Sequence, residues 1–196
     1  MDARDKGNKM RPEFEKYATI LKKWQTSINL VSPDSLNDLS NRHFMDSAQL
    51  AGHIPVGTKI IDMGSGAGFP GVVLAIMGYD VKCIESDQKK CVFLSELKRE
   101  LNLANLEIIN ERLENYIQKT GFFDENTGFT ARAFAPLVKI MQFLSATGQK
   151  YRLFLLKGRQ IDAEINDAKQ KFQFNYELIP SKTGDGFVFI ADVHAI

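Results

Sequence analysis

Short apolar segments alternate with helical segments through most of this 196-residue chain, beginning at Thr58. Strands that alternate with helices form parallel βαβ units, whose sheet is covered by helices on both faces. The last two apolar segments are joined only by the Gly-rich turn at residues 184–186, which indicates an antiparallel pair. The sequence therefore predicts an α/β fold with a doubly wound, mostly parallel sheet and a C-terminal antiparallel hairpin. The predicted strands are 59–63, 81–85, 106–109, 129–133, 151–156, 176–179 and 187–190, and the predicted helices among them are 70–77, 88–101, 135–145 and 160–171.

The segment before Thr58 is predicted to be helical. Phe14, Tyr17, Leu21 and Trp24 recur every three or four residues and give one apolar stripe. Further helical stretches are expected from residue 33 and over residues 41–50. We predict that residues 1–55 form an N-terminal helical extension packed on a core made by residues 56–196, with both parts in one structural unit.

Charge and composition exclude several classes of protein. The 25 Lys and Arg residues nearly balance the 24 Asp and Glu residues, so the net charge of +1 excludes strong non-specific binding to nucleic acid. Cys83 and Cys91 form no Cys-x-x-Cys pair and the three His residues are scattered, so no metal site is predicted. No apolar run reaches the roughly 18 residues of a membrane span, and the polar residues 1–10 are unlike a signal peptide. We expect a cytoplasmic protein.

A glycine-rich loop follows the first predicted strand, where doubly wound sheets bind their ligands. Residues 66–71 match G-x-G-x-x-G and Glu85 lies about twenty residues further on, as in dinucleotide-binding proteins. Asp62, at the end of the strand, would repel a pyrophosphate but attract an ammonium group. Asp62 and Glu85 together therefore favour S-adenosylmethionine, which carries an ammonium group and ribose hydroxyls but no phosphate. A nucleoside triphosphate is excluded because no Gly-Lys-Ser/Thr follows the glycines.

The loop and its flanks resemble one known family. Residues 62–71, Asp-Met-Gly-Ser-Gly-Ala-Gly-Phe-Pro-Gly, are similar to the cofactor loop of the bacterial 16S ribosomal RNA guanine-N7 methyltransferases, also called the glucose-inhibited division protein B family. The resemblance runs from about Tyr17 to the C-terminus, and its most specific parts are the Phe-Pro-Gly extension and the block Arg-Ala-Phe-Ala at 132–135. It implies a Rossmann-like class I methyltransferase domain at residues 56–196. Other matching residues are Trp24, Arg42, His43, Asp46, Ser47, Glu85, Ser86, Lys89, Lys90, Arg112, Glu114, Lys157 and Gly158.

The resemblance also implies a set of site residues. S-adenosylmethionine would contact Gly64 and Phe69 in the loop, its ribose and adenine edge would lie near Glu85, Ser86 and Asp87, and Leu113 and Glu114 would flank the adenine. The full predicted cofactor set is Asp62, Gly64, Ser65, Gly66, Gly68, Phe69, Glu85, Ser86, Asp87, Leu113, Glu114 and Arg132. Candidate residues for positioning the substrate are Arg132, Arg42, His43 and Lys157.

No acid or base is assigned, because guanine N7 carries a lone pair and no proton in the neutral base. The enzyme's task is then to align the reacting atoms and to exclude water. The expected partner is 16S ribosomal RNA or the small ribosomal subunit, and a monomer is predicted. Two alternatives are an NAD-type Rossmann oxidoreductase and a non-catalytic RNA-binding protein of ribosome assembly.

Overall fold

The computed structural model describes residues 11–194 and contains one seven-stranded sheet of order β3-β2-β1-β4-β5-β7-β6. Strands β1 to β5 run parallel, and β7 is antiparallel to both β5 and β6. The predicted sheet and its C-terminal hairpin are thus confirmed. The strands are β1 Lys59–Met63, β2 Asp80–Glu85, β3 Leu106–Asn110, β4 Thr127–Arg132, β5 Tyr151–Lys157, β6 Phe174–Pro180 and β7 Phe187–Val193. The α-helices are α1 Pro12–Gln25, α2 Asp46–Ala48, α3 Gly71–Ile76, α4 Gln88–Glu100, α5 Leu113–Thr120, α6 Leu137–Ser145 and α7 Ile161–Lys169.

Successive side chains of the central strands enter different hydrophobic clusters, as the two-residue period of a strand requires. Ile60 belongs to a cluster formed with α1, α3 and α4, whereas Ile61 belongs to a cluster formed with α5, α6 and α7. The sheet is therefore buried between two layers of helix. Within residues 11–194 no helix has both the length and the apolar character needed to cross a bilayer.

The N-terminal segment is part of the first of these clusters. Phe44 is completely buried, stacks on Phe14 with ring centroids 5.1 Å apart, and meets Tyr17 and Phe69 edge-on. Because Phe69 belongs to the glycine-rich loop, the N-terminal helices pack directly on the first loop of the sheet. The division at residues 55 and 56 remains a prediction, and its residues 1–10 and 195–196 lie outside the described residues.

Several predicted element bounds differ from the structure. Helix α5 was not predicted, because Leu113, Tyr116 and Ile117 provide an apolar stripe only about one turn long. Strand β4 begins at Thr127, two residues before the predicted start, since the turn around Asp124 ends there with a hydrogen bond from Thr127 N to Asp124 O. The region predicted as one helix over 41–50 is a π-helical turn, Ser40–Met45, followed by α2 and the 3₁₀ turn Gln49–Gly52.

The turn from β1 into α3 is fixed by Asp62. Its carboxylate is fully buried, and Oδ2 accepts the N–H of Gly71, the first residue of α3, at 3.2 Å. A Cβ on Gly71 would collide with this carboxylate, so the close approach requires glycine there. Burial raises the pKa of Asp62 to about 7, above its ordinary value of 3.8.

We predict that Phe44→Ala lowers the free energy of unfolding by about 3–5 kcal/mol, because the substitution leaves a cavity between α1 and the loop. Phe122→Ala is the matched control, since Phe122 is 70% exposed and its loss should change stability by less than about 0.5 kcal/mol. Urea unfolding followed by circular dichroism measures both. Equal effects of the two substitutions would contradict the packing described for the N-terminal segment.

A second prediction concerns the pH dependence of stability. Between pH 3.8 and about 7 the folded protein holds a proton on Asp62 that the unfolded chain has lost, so this stabilising contribution is full below pH 3.8 and lost as the pH rises through about 7. Asn does not titrate. The unfolding free energy of Asp62→Asn relative to the wild type should therefore increase with pH across this range, with a slope approaching about 1.4 kcal/mol per pH unit. Urea unfolding at a series of pH values measures the slope, and a difference independent of pH would contradict it.

Candidate functional site

A cavity of about 460 Å³ opens at the carboxyl ends of β1 and β2, and we call it the β1–β2 cavity. This is the edge of a parallel sheet at which ligands bind, and the volume lies within the usual range for small-molecule sites. Of the predicted cofactor residues, the structure brings these to its lining: Gly64, Ser65, Gly66, Phe69, Glu85, Ser86, Leu113, Glu114 and Arg132. The others in the lining are Leu30, Ala67, Ile84, Lys90, Glu111, Arg112, Ala133, Phe134, Ala135, Lys139 and Phe143.

Glu85 connects the glycine-rich loop to the end of β2. Its carboxylate accepts the N–H of Gly66 on Oε2 at 2.8 Å and the N–H of Asp87 on Oε1 at 2.8 Å. An ionised carboxylate has about four lone-pair sites, so each oxygen keeps acceptor capacity toward the cavity. Glu85 is thus fixed by the backbone and available to a hydroxyl donor, as ribose recognition requires.

At Gly64 and Gly66 the glycine-rich loop presents main-chain atoms to the cavity. Gly64 has φ +67°, and a Cβ there would collide with the ring of Phe134. Gly66 has φ +54°, and the nearest atom to where its Cβ would be is Gly64 O at 3.8 Å, so a Cβ would have room on the side of the cavity that Gly66 lines. Gly64 is thus required by the packing of Phe134, whereas Gly66 allows a ligand to lie against the main chain.

Three residues of the predicted cofactor set lie outside the lining. Asp62 is buried beneath the loop, where it supports α3, so its position does not support a direct contact with an ammonium group. Gly68 is a packing position, because a Cβ there would collide with Tyr17 and Val72. Asp87 caps α4 by accepting the backbone N–H of Lys89 and Lys90.

A second cavity, of about 500 Å³, lies at the carboxyl ends of β4 and β5, and we call it the β4–β5 cavity. It shares residues 132–135 with the β1–β2 cavity, so this segment is a wall between two adjacent spaces. Arg42, Arg132 and Lys157, three of the four predicted substrate-positioning residues, line it. The arrangement suits a small ligand in one cavity and a second reactant in the other, with the two meeting where the cavities adjoin.

Arg132 joins the N-terminal segment to this wall. Its guanidinium donates to the carbonyl oxygen of Arg42 at 2.8 Å, lies 3.6 Å from the Asp46 carboxylate, and stands 5.0 Å from the centre of the Phe69 ring. It also donates to His43 Nδ1. With its side chain only 20% exposed, Arg132 is held on several sides and presents a fixed positive charge to both cavities.

His43 lines neither cavity. Burial, together with the nearby charges of Arg132 and Arg42, lowers its pKa to about 4, so the ring is neutral at pH 7. Because a guanidinium has only donors, Nδ1 must accept, and the proton of the neutral ring is on Nε2. The ring stacks on Phe69 at 4.8 Å. His43 therefore positions Arg132 and the loop.

Sequence reasoning left part of the lining unassigned. The Arg-Ala-Phe-Ala block in the sequence predicts no role for Phe134, although its ring lies against Gly64. Glu164 was not singled out, since an acidic residue in the first turn of a helix is common and only the fold brings it beside Lys157. Among residues 11–194 no group of three or more His, Cys, Asp and Glu residues is arranged to hold a metal ion.

Comparison with known proteins gives close relatives over nearly the whole chain. The model of the family rRNA small subunit methyltransferase G matches residues 10–183. The protein of that name from Gluconobacter oxydans is 40% identical over 180 residues, which is 90% of each chain. Its counterpart from Paramagnetospirillum magneticum is 40% identical over 176 residues, covering 87% of this chain and 82% of the relative.

Among solved structures, magnesium protoporphyrin IX methyltransferase from Synechocystis PCC 6803, with bound S-adenosylmethionine, superimposes with a TM-score of 0.57. The match covers 95% of this chain and 99% of that one, at 16% identity, and it shows the class I methyltransferase fold. The fold alone does not identify a family, but the family model and the relatives that are 40% identical do. This chain belongs to the rRNA small subunit methyltransferase G family.

Proposed function

We propose that this protein transfers a methyl group from S-adenosylmethionine to N7 of one guanine in the 16S ribosomal RNA of the small ribosomal subunit. One observation carries the proposal: the family's cofactor motifs line one cavity, and a second cavity adjoins it across the wall at residues 132–135. Family membership supports a substrate of ribosomal RNA. The same proposal includes that the protein is a monomer and that it acts in the cytoplasm.

The residues of the β1–β2 cavity fit S-adenosylmethionine. Glu85 offers carboxylate acceptors for ribose hydroxyls, and Leu113 offers an apolar surface for the face of an adenine. The loop backbone around Gly64 and Gly66 gives the close approach that a methionyl group needs. When bound, S-adenosylmethionine would supply an electrophilic methyl group for the N7 lone pair, with the carbon–sulfur electron pair returning to sulfur.

The chain's own contribution is alignment. Because N7 needs no deprotonation, the residues have only to orient the base, exclude water and bring N7 into contact with the methyl group where the two cavities adjoin. Arg132 and the loop are held by the same contacts, so the two cavities keep a fixed relation to each other.

The two alternative functions explain fewer features of this structure than a methyltransferase does. Dinucleotide-binding sheets of order 3-2-1-4-5-6 lack the antiparallel strand that β7 inserts between β5 and β6. The family match also favours a methyltransferase over an NAD-type oxidoreductase. A non-catalytic assembly protein would have no need of the glycine cradle and Glu85, which are intact here.

We predict that the purified protein, with labelled S-adenosylmethionine, methylates 16S ribosomal RNA from cells that lack this gene. The label should map to one guanine and be found as N7-methylguanosine after nuclease digestion and mass spectrometry. Naked RNA, an assembly intermediate and the mature small subunit are tested separately. Absence of transfer to all three would overturn the proposed function.

We further predict that Glu85→Gln weakens S-adenosylmethionine binding by about 10-fold or more, because one charged acceptor is lost. Isothermal titration calorimetry measures the dissociation constant. Glu107→Gln on β3 is the matched control, since Glu107 pairs with Lys82 on the surface and lies outside both cavities. Identical dissociation constants for the two variants would remove Glu85 from the cofactor site.

A further inference from the structure

The β4–β5 cavity contains an ion pair to which the proposed reaction gives no role so far. Lys157 Nζ lies 2.6 Å from Glu164 Oε2, and both residues line the cavity at the end of β5 and the start of α7. The Lys157 side chain is only 9% exposed and that of Glu164 25%. An ion pair this secluded in the lining of a cavity is more than a solvated surface contact.

Unused hydrogen-bonding capacity remains on both side chains. Lys157 donates to Ala135 O at 3.0 Å and to Glu164 Oε2, which leaves one of its three protons. Glu164 receives both Lys157 and the backbone N–H of Leu137 on Oε2, at 2.6 and 2.7 Å. Within residues 11–194, Oε1 receives no hydrogen bond. The cavity therefore presents one ammonium donor and, next to it, one carboxylate acceptor.

Both groups are held next to the wall. Lys157 donates to Ala135 O, which belongs to the wall, and Glu164 Oε2 accepts from Lys157 and from the N–H of Leu137, two residues further along the chain. Around the edge of guanine the order is N7, the O6 carbonyl, then the N1–H and N2–H donors. With N7 toward the wall, O6 comes opposite the ammonium group and the two donors come opposite the carboxylate.

We propose that Lys157 and Glu164 select guanine, with Lys157 donating to O6 and Glu164 Oε1 accepting from N1–H and the N2 amino group. This proposal rests on the proposed function and deepens it. Adenine would place an amino donor opposite Lys157 and has neither N1–H nor an N2 amino group to offer Glu164. An unstacked base is recognised in this way along its Watson–Crick edge.

The test compares two RNAs that carry guanosine or inosine at the methylated position. Inosine lacks only the N2 amino group. For the wild-type protein kcat/KM should fall by at least about 10-fold with inosine. In Glu164→Gln the amide oxygen keeps the bonds from Leu137 and Lys157, so the NH₂ group replaces Oε1. This variant should lose at least about 10-fold on guanine and much less on inosine, while its affinity for S-adenosylmethionine is unchanged.

Asp192→Asn is the matched control, because Asp192 forms an ion pair with Arg152 on the same sheet but outside both cavities. It should keep the wild-type preference for guanine. Equal losses of Glu164→Gln on guanine and inosine would show a merely structural residue and overturn the proposal. If that variant does not fold, the wild type decides alone: equal rates on the two RNAs overturn the proposal.

A wild-type protein that methylates no guanine RNA would count against the proposed function instead. In that case the protein, saturated with S-adenosylhomocysteine, is titrated with the guanosine and inosine 5′-monophosphates and followed by NMR. A preference for the guanosine nucleotide that disappears in Glu164→Gln supports base recognition. Equal affinities overturn it.

Discussion

The stacking of Phe69 is the contact on which the rest of the site depends. Its ring is 4% exposed, lies parallel to the ring of Tyr17 at 5.2 Å and stacks on His43 at 4.8 Å, and carries the Arg132 guanidinium at 5.0 Å. Because Phe69 ends the glycine-rich loop, one side chain joins the loop, the N-terminal helices and the end of β4. A substitution there would loosen all three at once, since aromatic and cation–π pairs each contribute only when the partners are held in place.

The charge state of the neighbouring groups follows from the same burial. A protonated His43 beside Arg132 would put two cations together in a space with little water, so the ring stays neutral and Nδ1 accepts a hydrogen bond from the guanidinium. Asp62, buried beneath the loop, is near the midpoint of its titration at neutral pH. Arg132 is therefore a fixed positive charge in this region, and it lines both cavities.

The sequence was sufficient for the parts of this protein that have a local signature. The periodicity of apolar residues predicted the sheet and its hairpin, and residues 62–71 and 132–135 predicted the family and supply nine of the twenty residues that line the β1–β2 cavity. The sequence could not show that the Asp62 side chain is buried beneath the loop. An acidic residue at the end of a strand can point to solvent or to the core, and the local sequence does not distinguish the two. Nor could it predict the pairing of Glu164 with Lys157, which depends on how α7 returns against β5 and α6.

The nearly balanced charge also has a structural explanation. A protein that gripped ribosomal RNA by neutralising many phosphates would need an excess of cations and would bind other RNA as well. Here the net charge is +1, while Arg42, Arg132 and Lys157 are gathered at one cavity. Discrimination must then come from the shape of that cavity and from the hydrogen-bonding groups within it. A buried ammonium–carboxylate pair is suited to this task, because a base that does not complete its hydrogen bonds leaves a charged group unpaired, at a higher cost than a lost surface contact.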